Sequence, residues 1–103
     1  MRIIARKRLR EFAARYAVAR AALENWERVV RAAVWKRFVD VRATYRSADR
    51  VVLPRGNVIT VFDIGAYRLL TYVNYEAEIV DIKEFLTHAE YDRGAWKTTL
   101  DHD

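Results

Sequence analysis

The run Thr87-His88-Ala89-Glu90-Tyr91-Asp92 sets an imidazole and a phenol three residues apart, directly after a strand-like segment. Arg68, near the start of the preceding strand-like segment, adds a cation. Metal-free cleavage of RNA needs groups of these kinds. The neighbouring 2′-hydroxyl is the nucleophile, so a protein must take its proton, stabilise the charge gathering on the phosphorane and assist the leaving 5′-oxygen. These requirements assign Arg68 to the phosphate, His88 to proton transfer, and Tyr91 to stacking on a base or positioning the leaving group. Imidazole titrates near neutrality, whereas a phenol needs a depressed pKa to act as a base, so His88 comes first for the proton. His88 and Tyr91 share a side if residues 89–96 form a helix or tight turn. Arg55 and Lys97 are second candidates for phosphate contacts, on charge and on their places beside these elements. Asp92 reads as a turn cap and Glu90 as solvated. No metal site and no cofactor are expected: His88 and His102 stand far apart, and cysteine is absent. The plain alternative makes His88 a hydrogen-bonded strand-end cap, Tyr91 a lid on the sheet, and Arg68 the cross-strand partner of Asp63 or Glu84.

The elements that must position these groups follow an α+β order. Met1 to Ala5 reads as a short first strand. Leu9, Phe12, Ala13 and Tyr16 fall at i, i+3, i+4 and i+7, which predicts a helix from about Lys7 to Tyr16. Ala22, Leu23, Trp26, Val29, Val30 and Ala33 repeat that spacing from about Ala19 to Val34, with Trp26 and Trp35 as large core anchors. Asp40 is placed to cap a short turn of helix, and Ser47 to Asp49 reads as loop. Val58 to Ile64 and Tyr67 to Tyr75 are rich in β-branched and aromatic residues and are separated only by Gly65-Ala66. Glycine first in a two-residue connection predicts a type II′ hairpin, with Ile64 opposite Tyr67 and Phe62 opposite Leu69. A turn at Glu76-Ala77 leads into Ile79 to Leu86, completing a three-stranded antiparallel meander. Arg68, Leu70, Tyr72 and Asn74 then share one face, and Tyr67, Leu69, Thr71, Val73 and Tyr75 the other. The expected architecture is one domain, residues 1–103, with two N-terminal helices packed on an antiparallel sheet made of the short first strand plus the meander.

Charge is divided unevenly. Residues 1–50 carry 14 Lys/Arg against 5 Asp/Glu, and residues 51–103 carry 5 against 9, for a net +5 overall. The excess lies in the helical half and is mostly arginine, the side chain suited to forked phosphate contacts and base stacking, so a polyanionic partner is favoured. No apolar run reaches membrane-span length and no signal-peptide core is present, which with the absence of cysteine predicts a cytosolic protein without membrane attachment.

Trp35-x-x-Phe38-x-Asp40, Ser47-Ala48-Asp49, Val61-Phe62-Asp63-Ile64-Gly65 into Tyr67-Arg68-Leu69, and the closing Thr87-His88-x-x-Tyr91-Asp92 together resemble the HigB family of type II toxins. Tyr67-Arg68-Leu69-Leu70-Thr71-Tyr72-Val73 also resembles the arginine-bearing strand of the wider RelE superfamily. The resemblance runs over essentially the whole chain and implies a RelE-like fold. It further implies an mRNA interferase that cuts messenger RNA on the translating ribosome and is silenced by a helix-turn-helix antitoxin of the HigA kind, with any contact to operator DNA made only through that antitoxin. One departure is visible: family members commonly carry a longer, Gly-Gly-Asn-like turn where this chain has only Gly65-Ala66. Two functional readings remain at this stage, a ribosome-dependent endoribonuclease and a non-catalytic basic domain that binds RNA or an antitoxin.

Overall fold

A computed structural model describes residues 1–101; His102 lies outside the described residues. Its strands are β1 (Arg2–Ile4), β2 (Asp49–Val52), β3 (Val58–Ile64), β4 (Tyr67–Asn74) and β5 (Ile79–Thr87). The helices are α1 (Arg6–Arg15), α2 (Arg20–Ala32), α3 (Phe38–Thr44), α4 (His88–Arg93) and α5 (Trp96–Leu100), with a 3-10 turn at Ala17–Ala19 between the first two. Among the described residues, no helix is long and apolar enough to cross a membrane.

The meander forms as its sequence dictates. Ile64 pairs with Tyr67 and Phe62 with Leu69. Gly65 takes φ 59 while Ala66 is not among the residues with positive φ, the sign pattern of a type II′ turn. The sheet, however, is mixed and has five strands in the order β1-β5-β4-β3-β2. The first strand runs parallel to β5, with Ile3 opposite Val80, which corrects the expected all-antiparallel sheet. Asp49 is also no loop residue. It opens β2, which pairs antiparallel with β3 along Asp49–Val61 to Val52–Val58. Short edge strands with charged residues carry little periodicity, which is why this one escaped the alternation test.

The two faces of the sheet have separate cores. On one face, α1 and α2 bury Leu9, Phe12, Leu23, Trp26 and Val30 against Phe62, Leu69, Ile82 and Phe85. Phe62 is the hub of that layer, with Trp26 at 5.2 Å, Trp35 at 6.0 Å and Tyr45 at 5.5 Å between ring centroids. Trp35 stands beyond the end of α2, which stops at Ala32, and its indole N–H donates to Thr44 Oγ1 at 3.1 Å. Asp40 stabilises the start of α3 by accepting from the backbone N–H groups of Lys36 and Arg37, as its position predicted. On the opposite face, Leu53, Ile59, Val61 and Leu70 are covered by Trp96 and Leu100. The C-terminal helices therefore form a second layer absent from the two-helix expectation. They cross the sheet from the β5 end toward the β2–β3 loop, where the Tyr72 hydroxyl donates to the Leu100 carbonyl and Asp101 accepts from Arg55 N–H and Asn57 Nδ2. A β-bulge leaves Lys83 between the Leu70–Glu84 and Thr71–Ile82 pairs, and strand alternation resumes beyond it.

Candidate active site at the hairpin end of the sheet

Alternation on β4 sends Leu69 into the helical core and puts Arg68 on the other face, where α4 passes over the sheet. The position of α4 is fixed by its own first residues. Thr87 is the N-cap: its hydroxyl accepts from Glu90 N–H at 3.2 Å, and its own N–H donates to Glu90 Oε1 at 2.9 Å. The Thr87 N–H first, then its side chain, hold the Glu90 carboxyl below its ordinary range, with Arg93 and Arg15 acting in the same direction against a smaller effect of burial. Glu90 is thus a capping residue and not merely solvated. Gly94 closes the helix in the left-handed region, at φ 77.

This capped turn brings His88 onto Arg68. The guanidinium is held on three sides: Nε pairs with Asp63 Oδ1 at 3.0 Å, Nη1 donates to the Tyr67 carbonyl at 3.0 Å, and Nη2 lies 3.0 Å from His88 Nδ1. An arginine only donates, so Nδ1 must present its lone pair and the imidazole proton sits on Nε2. Nε2 in turn lies 3.0 Å from Asp92 Oδ2. Asp92, expected to cap the turn, instead faces His88 one helical turn away. Arg68 keeps one N–H on each of Nη1 and Nη2 for a further acceptor. Its side chain is only 18% exposed, so it is an anchored cation and not a mobile surface group. Of the two cross-strand partners considered for it, Asp63 pairs and Glu84 sits opposite Leu70.

Tyr91 lies on the same face and stacks on Trp96, with centroids 5.3 Å apart and planes 12° from parallel. Burial pushes its phenol up, Asp49 adds to this with Asp63 and Asp92 in the same sense, and Arg68 opposes. A raised phenol favours the protonated form, so Tyr91 is suited to donate or stack rather than to act as the base. Asp49 is the neighbour that the sequence reading missed. The β-branched Val51-Val52 just before Leu53-Pro54 was the available signal for the strand that carries it.

Arg55 and Lys97 come together, but elsewhere. Arg55 is on the β2–β3 loop and Lys97 on α5, and both line a shallow depression with Pro54, Thr98 and Asp101. That loop joins β3 at Val58, while Arg68 faces Asp63 five residues further along, so roughly 17 Å of strand separates the two places. The sequence candidates therefore divide into one cluster of Arg68, His88 and Tyr91 and a distant pair. Burial works against the Asp101 charge, yet hydrogen bonds from Asn57 and from Arg55 N–H, with the Arg55 charge, hold its carboxyl below the ordinary range.

No curated protein matches the chain. The HigB toxin family model, described as the RelE-like toxic component of a toxin-antitoxin system, matches residues 19–94. That span contains Arg68, His88, Tyr91, Asp63 and Asp92, and ends before Lys97. It covers most of the chain and agrees with the α+β fold, in which the arginine-bearing strand and the capped turn after β5 meet. The chain belongs to the HigB family of RelE-like toxins, and a toxin-antitoxin system implies an antitoxin as its partner.

Proposed function

We propose that this toxin is an mRNA interferase: a metal-independent endoribonuclease that cuts messenger RNA on the translating ribosome, acts in the cytoplasm and is silenced by a HigA-like helix-turn-helix antitoxin. The observation that carries the reading is the contact between the Arg68 guanidinium and His88 Nδ1. It supports the reading because a cation suited to phosphate and a group able to accept a proton stand side by side, as cleavage of one phosphodiester requires. In the resting site Arg68 itself occupies Nδ1. A phosphate oxygen competes for that donor, so substrate entry frees the nitrogen for the 2′-hydroxyl proton. The 2′-oxygen to phosphorus bond then forms and the bond to the 5′-oxygen breaks, giving a cyclic phosphate and a 5′-hydroxyl. The Tyr91 phenol hydrogen-bonds the leaving oxygen, which takes its proton from solvent.

One observation favours the non-catalytic reading. Asp49, Asp63 and Asp92 all lie close enough to act on Tyr91, and among the described residues acting on that phenol Arg68 is the cation. A site so balanced has little long-range attraction for RNA. The test is induced expression of the wild type and of Arg68→Ala in a bacterial host, with messenger 5′ ends mapped in both. New 5′ ends inside translated frames, with growth arrest, in the wild type alone support the interferase. Absence of cleavage by soluble, folded wild type moves the assignment to a binding module. A catalytic arginine costs about 2.7–4 kcal/mol of transition-state stabilisation with binding largely kept, whereas a binding arginine weakens association in a way that low salt restores.

A further inference from the structure

Resting on His88 as the base, we propose that Asp92 is a positioning residue, one that acts through His88 by holding the imidazole with its proton on Nε2 and its basic nitrogen, Nδ1, toward the phosphate site. At rest two groups orient the ring, Arg68 at Nδ1 and Asp92 at Nε2, each at 3.0 Å. Once a phosphate draws Nη2 away, the first hold is gone and Asp92 is the remaining one. At that moment the ring must present a lone pair on Nδ1, and a histidine free to rotate or to change tautomer presents the wrong nitrogen part of the time. When Nδ1 takes the 2′-hydroxyl proton, the imidazolium carries its charge beside a carboxylate already hydrogen-bonded to Nε2–H, which is how an acid orients and supports a histidine base.

Local structure argues that the pair is not there for folding. His88 and Asp92 side chains are 61% and 60% exposed, and exposed ion pairs contribute little. Helix α4 has its start fixed by the Thr87–Glu90 box and its end by Gly94. What the i,i+4 spacing adds is a fixed separation between carboxylate and ring, set by the helix itself.

The first test needs no reaction. Long-range nitrogen–proton spectra of the full chain at mildly alkaline pH read the tautomer of His88, with a His102→Gln variant to assign the second histidine. The wild type and Arg68→Ala are both expected to show pyridine-like Nδ1 and pyrrole-like Nε2, because Asp92 still holds the ring in the variant. The Arg68→Ala, Asp92→Ala double variant is expected to show averaged nitrogens. An averaged ring in Arg68→Ala alone overturns the proposal. The second test is single-turnover cleavage of a ribosome-bound message. Asp92→Ala is expected to slow the step about 10- to 100-fold with the half-saturating concentration kept, Asp92→Glu to restore much of it, and Asp92→Ala to add nothing in a His88→Ala background. Equal losses in both backgrounds mean that Asp92 acts on the fold and overturn the positioning role. A held tautomer in a protein whose cleavage is indifferent to His88→Ala overturns the base assignment instead, so the two failures are told apart.

Discussion

Tyr91 separates a donor from a base more cleanly than any other residue of the site. Tyr91→Phe deletes one oxygen and leaves the rest standing: the ring keeps its 5.3 Å stack on Trp96, and Trp96 Nε1 keeps its 3.0 Å bond to the Tyr91 carbonyl. Burial and Asp49 push the phenol up, so what the substitution removes at neutral pH is one neutral O–H. A neutral hydrogen bond contributes roughly 0.5–1.5 kcal/mol, which corresponds to roughly a two- to thirteenfold loss of rate. Tyr91→Ala also loses the stack, about 0.5–1.5 kcal/mol, together with the apolar contact of a half-buried ring, so its rate loss mixes chemistry with stability. The assay is single-turnover cleavage on programmed ribosomes from about pH 6.5 to 9, the range in which a working base must titrate. Tyr91→Phe should track the wild-type profile in parallel, lower by no more than about thirteenfold. A loss of a hundredfold or more, or the disappearance of an alkaline rise present in the wild type, would mean that the phenolate is the base and that the assignment of His88 is wrong.

Further expectations concern the frame around the site. Glu90→Ala removes half of the capping box and should cost about 1 kcal/mol at neutral pH by urea unfolding. Because the folded carboxyl titrates below its ordinary value, this contribution is full above the ordinary carboxylate range and is lost as pH falls through the depressed value, so wild type and variant should converge in acid. The phenols of Tyr45, Tyr72, Tyr75 and Tyr91 are all pushed up, chiefly by burial. Stability is therefore retained below the ordinary phenol range and falls as pH rises through the raised values, and Tyr91→Phe should soften that alkaline fall in thermal melts. Gly65→Ala meets no atom within 4 Å, yet places a Cβ at φ 59; it should destabilise by about 1 kcal/mol through backbone strain alone. Leu100→Ala opens a hole in the core beneath the C-terminal helices and should cost about 2–5 kcal/mol by denaturant unfolding.

The parts that were legible in the sequence are those governed by neighbours in the chain. The boundaries of α1 and α2 follow from apolar spacing, and the β3–β4 register follows from a two-residue turn with glycine first. The parallel pairing of β1 with β5 joins segments more than seventy residues apart and leaves no local trace. Helix α5, with only Trp96 and Leu100 buried, is too short for a periodic signal, so the cover on the second face left no trace in the sequence. At the site, residue types were enough to single out Arg68, His88 and Tyr91 as candidates. Their proximity depends on α4 beginning at His88, and the same start turns Asp92 from a cap into the partner of the imidazole. Arg55 shows the converse, since adjacency to the right strand says nothing about which end of it a residue occupies.

The division of charge now acquires a spatial meaning. The excess of cations in residues 1–50 rides largely on α1, α2 and α3, most of it on the opposite side of the sheet from Arg68, and among the described residues its ion pairs include Arg6–Glu27 and Lys36–Glu78. Around the phenol of Tyr91, by contrast, one guanidinium answers three carboxylates. If the partner is a polyanion, long-range attraction would come mainly from the helical layer and short-range geometry from the site. For the interferase reading this separates grip from cut. On that reading, RNA gripped by the arginines of α2 would lie across the sheet from His88, whereas Arg15 at the end of α1 comes near enough to act on Glu90 of α4. Substituting the exposed arginines of α2 should accordingly lower association and its dependence on salt, leaving the single-turnover rate at saturation unchanged. The reverse pattern, a rate loss with the salt slope intact, would place the substrate strand on the helical face and contradict the separation.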